Sequence, residues 1–288
     1  MIDYNKHLVE DKEIEQFDTT KAPKNQDDFW ENEMDRNIKK IKKIQEKLYA
    51  QSKFSVLVCL QGMDTSGKDS LIRKVFGPLN PAGVKVHSFK APSKEEMNHD
   101  YLWRHYKKLP AQGEITVFNR THYENVLITK VHPEYILGRD LPNISSLKDI
   151  NKSFWKSRYD QINQVESIWA ENGMIILKFF LNISKEEQKQ RLLARLENPE
   201  KHWKFDSGDL KERKYWKNYA NAYKEMLRNT SKKQSPWYII PADSKPFARY
   251  LVSEILLEKL KTFPINFPDS NADLKENLKT YTEELRNS

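Results

Sequence analysis

Short apolar runs along the chain alternate with longer stretches in which apolar residues return every three or four positions. Such alternation predicts βαβ units: strands buried on both faces read as unbroken apolar runs, and the helices covering them read as one-sided stripes. From Phe29 to Gln51, the residues Ile38, Ile41, Ile44 and Leu48 fall on one helical face. The run "FSVLVCL" (54–60) then reads as a first buried strand, with others at "VKVHSF" (84–89), "EITVFN" (114–119), "MIILKFFLNI" (174–183) and "PWYIIPA" (236–242). Five strands separated by helices predict a three-layer α/β fold on a central parallel sheet.

Two helix starts carry capping-box spacing just after a strand, Ser93 with Glu96 and Ser184 with Glu187. Trp155, Tyr159, Ile162 and Trp169 recur at near-helical spacing and read as core packing, not as a base-stacking surface. Residues 1–28 read as an N-terminal arm, 29–263 as one domain, and the polar stretch 264–288 as a peripheral tail with one short helix.

Composition narrows the functional classes. Against 41 acidic residues stand 49 Lys and Arg, a net charge of +8. That balance suits nucleic acid, an anionic membrane or a polyanionic substrate, and equally a solvated basic surface. Cys59 is the one cysteine and lies in an apolar run, which excludes an internal disulfide and fits a buried thiol in the reducing cytoplasm. The start "MIDYNKHLVEDKE" has no apolar signal core, and no apolar stretch approaches the roughly 20 residues of a membrane span. Neither secretion nor membrane insertion is expected.

The chemistry begins at "QGMDTSGKDS" (61–70), which directly follows the first strand. In a G-x-x-x-x-G-K-[ST] loop, backbone N–H groups cradle phosphate oxygens, the lysine reaches a terminal phosphate and the hydroxyl holds Mg²⁺. Gly62, Thr65, Ser66, Gly67, Lys68 and Ser70 match that cradle, and Arg73 follows one turn into the expected helix. Asp69 stands where the hydroxyl is usual, with Asp64 inside the loop. Two acids beside bound phosphate need cations between them, and Mg²⁺, a hard ion that takes carboxylate and phosphate oxygens, fits. Mn²⁺ is the substitute.

The strand 114–119 leads into "VFNRTHYENV" (117–126). Side chains there project over the carboxyl edge of the sheet, where open α/β folds bind ligands. Asn119 occupies a position where an acid is usual; Arg120 could bridge donor and acceptor phosphates, or be a surface cation on a turn. Glu124 is the nearest acid, and His122 reads as structural because phosphoryl transfer needs little acid–base help. Downstream, Arg191 and Arg195 share a helix face, followed by Lys201 and Lys204. A mobile basic lid over 184–215 and a solvated helix face both fit that pattern. No zinc-type spacing and no nucleophile elbow is present.

From about Phe29 to Leu260 the chain resembles the type 2 polyphosphate kinases, relatives of the thymidylate kinases in fold. The resemblance rests on "GMDTSGKDS", "NPAGVKVHSFKAPS", "DYLWR", "FNRTHYENV", "EEQKQRLLARLENPEKHWKF" and "PWYIIPA", in that order. It implies a P-loop kinase fold and reversible, Mg²⁺-dependent transfer of a terminal phosphoryl group from inorganic polyphosphate to a nucleotide. Catalytic roles then carry to Asp64, Lys68, Asp69, Asn119, Arg120 and Glu124, with Asp64 and Asp69 as metal ligands. Polyphosphate contacts carry to Arg191, Arg195, Lys201 and Lys204, and nucleotide contacts to Asn80, Gly83, Lys90, Arg104 and Glu124. Asn119 with Glu124, in place of the Asp-Arg pair many members have, resembles the class that phosphorylates monophosphates as well as diphosphates. The implied partners are polyphosphate, AMP, ADP and ATP, with GMP and GDP as further nucleotides, in a homo-oligomer, dimer or tetramer. Nucleic acid and membranes are not among them. An ATP-dependent nucleoside monophosphate kinase is the rival on the same fold.

Overall fold

In a computed structural model, described over residues 3–9, 26–139 and 141–288, five strands form: β1 (Ser55–Gly62), β2 (Val84–Ser88), β3 (Ile115–Asn119), β4 (Met174–Asn182) and β5 (Trp237–Pro241). All pair in parallel, in the order β2-β3-β1-β4-β5. β1 and β3 lie buried along their whole lengths at the centre, which is why both read as unbroken apolar runs. The chain leaves β1 toward the β2 edge and leaves β3 toward the β5 edge. The carboxyl ends of β1 and β3 therefore flank a switch point, the usual ligand crevice of such sheets.

The first helix runs Asp27–Gln51, and its stripe of Trp30, Met34, Ile38, Ile41 and Leu48 is buried. Trp30 meets Phe247 and Tyr250 of the Lys245–Lys261 helix at 5.2 and 4.9 Å between ring centres. On the other face lies the Lys152–Glu171 helix, burying Tyr159, Ile162 and Trp169, with Trp155 packed at the margin. The expected arm is seen only at its start, where Leu8 bridges Tyr238 and the Val9 N–H reaches the Trp237 carbonyl, lengthening the β5 edge. Residues 10–25 of that arm lie outside the described residues. The tail holds a 16-residue helix, Ala272–Asn287, longer than expected and with no buried residue.

Several boundaries moved for physical reasons. β1 continues through Gln61 and Gly62, because both still pair with β4. The helix after the loop is α only over Lys68–Leu71, then widens to a π turn at Ile72–Phe76. The Ser93 box closes from both sides. The Ser184 box closes from one: Glu187 turns to Arg191, and the Ser184 N–H goes to Asp243 instead. None of the described helices is long and apolar enough to cross a membrane.

Candidate active site

β1 delivers the phosphate loop to the carboxyl edge, and its backbone is tightly constrained. A Cβ on Gly62 would stand 2.6 Å from Ser66 Oγ and 2.7 Å from the Leu181 carbonyl oxygen, so glycine alone lets the loop close against β4. Thr65 sits at φ +64° and Gly67 at φ +104°. A β-branched residue in the left-handed region is rare, and such conformations persist where surrounding contacts enforce them. The Lys68 ammonium folds back over the loop, donating to the carbonyls of Gly62 at 2.7 Å and Met63 at 3.2 Å. Burial lowers its pKa from the ordinary lysine value, with Asp64 opposing.

β3 ends beside it. Asn119 Nδ2 donates to Asp69 Oδ1 at 2.7 Å and to Ser88 Oγ at 3.2 Å. The neutral amide thus partners the unusual acid; a carboxylate at 119 would repel it. Arg120 sits at φ +59°, and its Nη2 donates to Asp64 Oδ1 at 3.0 Å. Burial disfavours the Arg120 charge, but Glu124 and Asp64 outweigh burial and hold its pKa above the ordinary value. Glu124 lies on the 3₁₀ turn His122–Val126. Burial raises its pKa, against the pull of Arg120 and Lys68.

Beneath that turn lies a closed ionic knot. Lys178 on β4 is fully buried and donates to Glu166 Oε2 at 2.6 Å, Tyr123 Oη at 2.8 Å and the Thr230 carbonyl at 2.7 Å. Glu166 Oε1 accepts from the Tyr123 hydroxyl at 2.6 Å and bonds His122 Nε2 at 3.1 Å. Burial alone would raise the Glu166 pKa, but Lys178 and His122 hold it at about 2. His122 is structural here, as its sequence setting predicts, and the knot anchors the turn that carries Arg120 and Glu124. An apolar-looking strand concealed Lys178 from sequence reasoning; its position inside "MIILKFFLNI" was the one available signal.

Arg191 and Arg195 differ. Arg191 is 9% exposed and bonds Glu187 at 2.7 Å and the carbonyls of Thr65 at 3.0 Å, Ala242 at 2.6 Å and Asp243 at 3.0 Å. Arginine has five N–H donors, so Arg191 clamps the phosphate loop to the end of β5 instead of riding on a free lid. Gln188 adds a bond to the Asp64 carbonyl at 3.1 Å. Arg195 is tied to Asp209 at 3.1 Å and to the Lys204 carbonyl at 3.0 Å. The expected lid consists of the helix Lys185–Leu196, a 3₁₀ segment Pro199–Lys204 and the helix Ser207–Arg213.

A cleft of about 640 Å³ brings most of the expected residues together: Asp64, Thr65, Ser66, Gly67, Lys68, Asp69, Ser70, Arg73, Asn119, Arg120, Arg191, Arg195, Lys201 and Lys204. Trp203, Lys245 and Arg249 also line it and were missed. The last two lie on the Lys245–Lys261 helix that follows β5, so the start of the helix after the last strand was the overlooked signal. On the far side of Lys68, a smaller cavity of about 80 Å³ is lined by Gly62, Glu124, Trp216, Tyr219 and Tyr223, and shares Asp64, Lys68 and Arg120 with the cleft.

Two expected nucleotide contacts fall elsewhere. Asn80 and Gly83 belong to the turn that enters β2, at the amino edge of the sheet and opposite the loop. Asn80 bonds Gln45 through its backbone and caps Ala82, and a Cβ on Gly83 would meet Gln45 Nε2 at 3.1 Å. They pack the first helix and do not reach the site. Lys90 and Arg104 do lie at the carboxyl edge: Arg104 Nη2 donates to the Lys90 carbonyl at 2.9 Å, and Nη1 lies 3.3 Å from Glu96.

The donor set suits a hard cation. Asp64 and Asp69 offer carboxylate oxygens into the cleft, and Asn119 Oδ1 is buried with no partner among the described residues. No cluster of three or more His, Cys, Asp or Glu among those residues could hold a metal unaided. Such a set matches Mg²⁺, which keeps waters and shares substrate phosphates.

Comparison with known proteins agrees with this geometry. The sequence model of the family described as Polyphosphate kinase 2 matches residues 24–267. An ADP-polyphosphate phosphotransferase of Rhodopseudomonas palustris is 40% identical over 279 residues, 95% of this chain and 96% of that protein. An AMP/ADP-polyphosphate phosphotransferase of Meiothermus ruber is 44% identical over 230 residues, 80% of each chain. The crystal structure of polyphosphate kinase 2 from Arthrobacter aurescens superposes with a TM-score of 0.86 at 35% identity, covering 96% of this chain and 95% of that one. Sequence and fold together place this chain in the polyphosphate kinase 2 family.

Proposed function

We propose that this protein transfers the terminal phosphoryl group of inorganic polyphosphate to nucleoside mono- and diphosphates, AMP to ADP and ADP to ATP, reversibly. The observation that carries the proposal is the cleft itself. Nine basic side chains line it against four acidic ones, and they continue past the phosphate loop to Lys201, Lys204, Lys245 and Arg249. A linear polyanion with about one charge per phosphate uses cations spread along such a length, whereas a nucleotide triphosphate needs only the loop.

Asp64, Lys68 and Arg120 separate this cleft from the smaller cavity, so a phosphoryl group passing between donor and acceptor crosses all three. Lys68 neutralises charge on the transferring group, and Arg120 bridges the donor and acceptor oxygens. Glu124 supplies an acid on the acceptor side. Mg²⁺, or Mn²⁺ in its place, would be held by Asp64 and Asp69 and would draw charge from the phosphate oxygens. Names of relatives support the acceptor range: the Meiothermus ruber protein is an AMP/ADP-polyphosphate phosphotransferase. The test mixes protein, Mg²⁺ and polyphosphate with AMP or ADP and follows ADP and ATP. Transfer from ATP to AMP with none from polyphosphate would overturn the proposal.

A further inference from the structure

The helix Ala272–Asn287 runs for 16 residues and buries none of them. A lone helix of that length is marginal in water, because the cost of its first turn is repaid chiefly by packing an apolar face. Such a face exists here and lies open: Leu274, Leu278, Tyr281 and Leu285 are all exposed, Leu285 by 78%. The steps between them are four, three and four residues. That is the spacing of a narrow seam between two helices, not of the wider stripe that packs a helix on a sheet. The helix also lies outside residues 24–267, the stretch shared with the family.

Its place leaves the catalytic rim free. The Gln51 amide, at the end of the first helix, donates to the Pro264 carbonyl at 3.0 Å. That helix leads into the start of β1, so the chain departs for its last helix from the amino edge of the sheet, opposite the phosphate loop.

Charge on the flanks of the seam indicates what covers it. Lys275, Lys279 and Arg286 follow one side, with Thr282 among them; Asp273 and Glu284 follow the other, with Asn277 between. At 3.6 residues per turn each set stands about 100° from the seam, on opposite sides. Asp273 Oδ1 accepts from Asn277 Nδ2 and from the Tyr281 hydroxyl, each at 3.0 Å, which orders the acidic side. Two copies of this helix packed in parallel set the basic flank of each against the acidic flank of the other. Antiparallel packing sets like against like. An anionic membrane would favour cations on both flanks, and here one flank is acidic.

We propose that this helix joins two copies of the chain as a parallel two-helix seam at the amino edge of the sheet. Each of Leu274, Leu278, Tyr281 and Leu285 meets its own counterpart, and the flanking charges fix partner and direction. Two heptads bury less than a standard interface, so pairing of moderate strength is expected, with a Kd on the order of 10 μM.

Sedimentation equilibrium of the full chain, beside a Leu278→Glu, Leu285→Glu variant, reads the pairing directly. Neither residue is buried, so the folded body survives the change. The variant should halve the mass of the assembly, with Kd raised roughly tenfold or more, and should lose the circular dichroism of one helix. Lys275→Glu with Lys279→Glu leaves both flanks largely acidic, and Asp273→Lys with Glu284→Lys leaves both basic. Each of these should pair poorly alone, and the two should pair when mixed. Direction is read by Leu274→Cys, which should cross-link copies on mild oxidation, since only a parallel seam sets residue 274 against itself; Cys59 is buried. Unchanged association of the Leu278→Glu, Leu285→Glu variant would overturn the proposal. So would a native chain that stays monomeric with this helix formed, including one that binds anionic vesicles instead. Failure of the mixed charge variants to pair would remove the second copy as occupant, and failure of Leu274→Cys to cross-link would remove the parallel seam. None of these readouts uses phosphoryl transfer, so they stand apart from the proposed function.

Discussion

Lys68, part-buried at the start of the helix that follows β1, and Lys178, fully buried on neighbouring β4, are treated by the chain in opposite ways. Lys178 has a carboxylate at 2.6 Å and two further oxygens within 2.8 Å. Lys68 has two loop carbonyls and no carboxylate at hydrogen-bond distance. Of the acids whose charge acts on Lys68, Asp64 is held by Arg120 and Asp69 by Asn119, and Glu124 is the third. A cation neutralised by its own chain anchors structure; one left short of negative charge awaits an anion from outside. Arg191 and Arg195 both line the cleft and each pairs with one carboxylate, Glu187 and Asp209; they differ in that Arg191 also clamps the loop through three carbonyls, while Arg195 reaches one.

The largest expected effect tests the closed side. Lys178→Met leaves Glu166 buried without its cation and should cost about 3–5 kcal/mol of stability in urea unfolding. Adding Glu166→Leu to that variant should recover most of the loss, because a buried ion pair is often replaceable by apolar groups. A loss below about 1 kcal/mol in the single variant would break the comparison.

On the open side, Lys68→Ala should lower turnover by about 10²–10³, the usual loss of one electrostatic donor. The unfolding midpoint should hold or rise, since the folded state keeps this charge at a cost. Because burial lowers the Lys68 pKa, the unfolded chain binds the extra proton between that value and 10.5. Stability therefore rises with pH through that window in the wild type and not in the variant.

Next in size, Arg191→Ala removes charged hydrogen bonds to three carbonyls and should cost about 1.5–3 kcal/mol of stability, together with activity. Arg195→Ala should leave the midpoint nearly unchanged and raise the KM for polyphosphate more than that for AMP. Parallel behaviour of the two variants would erase the distinction between clamp and cleft.

The smallest effect concerns Glu124. With its folded pKa raised above 4.5, the native state binds more protons between 4.5 and that raised value, so its cost to stability grows as pH rises through this window and vanishes below 4.5. Glu124→Gln should therefore stabilise the protein slightly at pH 7 and not at pH 4, while suppressing AMP phosphorylation more than ADP phosphorylation. Glu166 behaves oppositely: its contribution is present above pH 4.5 and is lost as pH falls through about 2. Thermal melts at three pH values, with initial rates on both acceptors, read all of this.

Much of the fold and half of the site's logic were legible beforehand. Largely apolar runs marked β1, β3, β4 and β5, because burial on both faces leaves little polar alternation, whereas edge strand β2 (VKVHS) alternates and is partly exposed. Gly62, Gly67 and Lys68 announced the loop, since close backbone approach admits only glycine at the first position. Asn80 and Gly83 misled because they sit in the same block of sequence as Lys90. Five residues of strand separate the two groups, and they emerge at opposite edges of the sheet.

Periodicity and loop chemistry are properties of neighbouring residues, so the amino-acid sequence by itself determined the strands, the phosphate loop and the basic run from Arg191 to Lys204. Partner choice is not local. Asn119 meets Asp69 across 50 residues, Lys178 meets Tyr123 across 55, and Arg191 meets the Thr65 carbonyl across 126. Those pairings follow from strand order and register, which place β3 and β4 on either side of β1. Only the tertiary structure could therefore decide which cations the chain neutralises for itself and which it leaves open to phosphate.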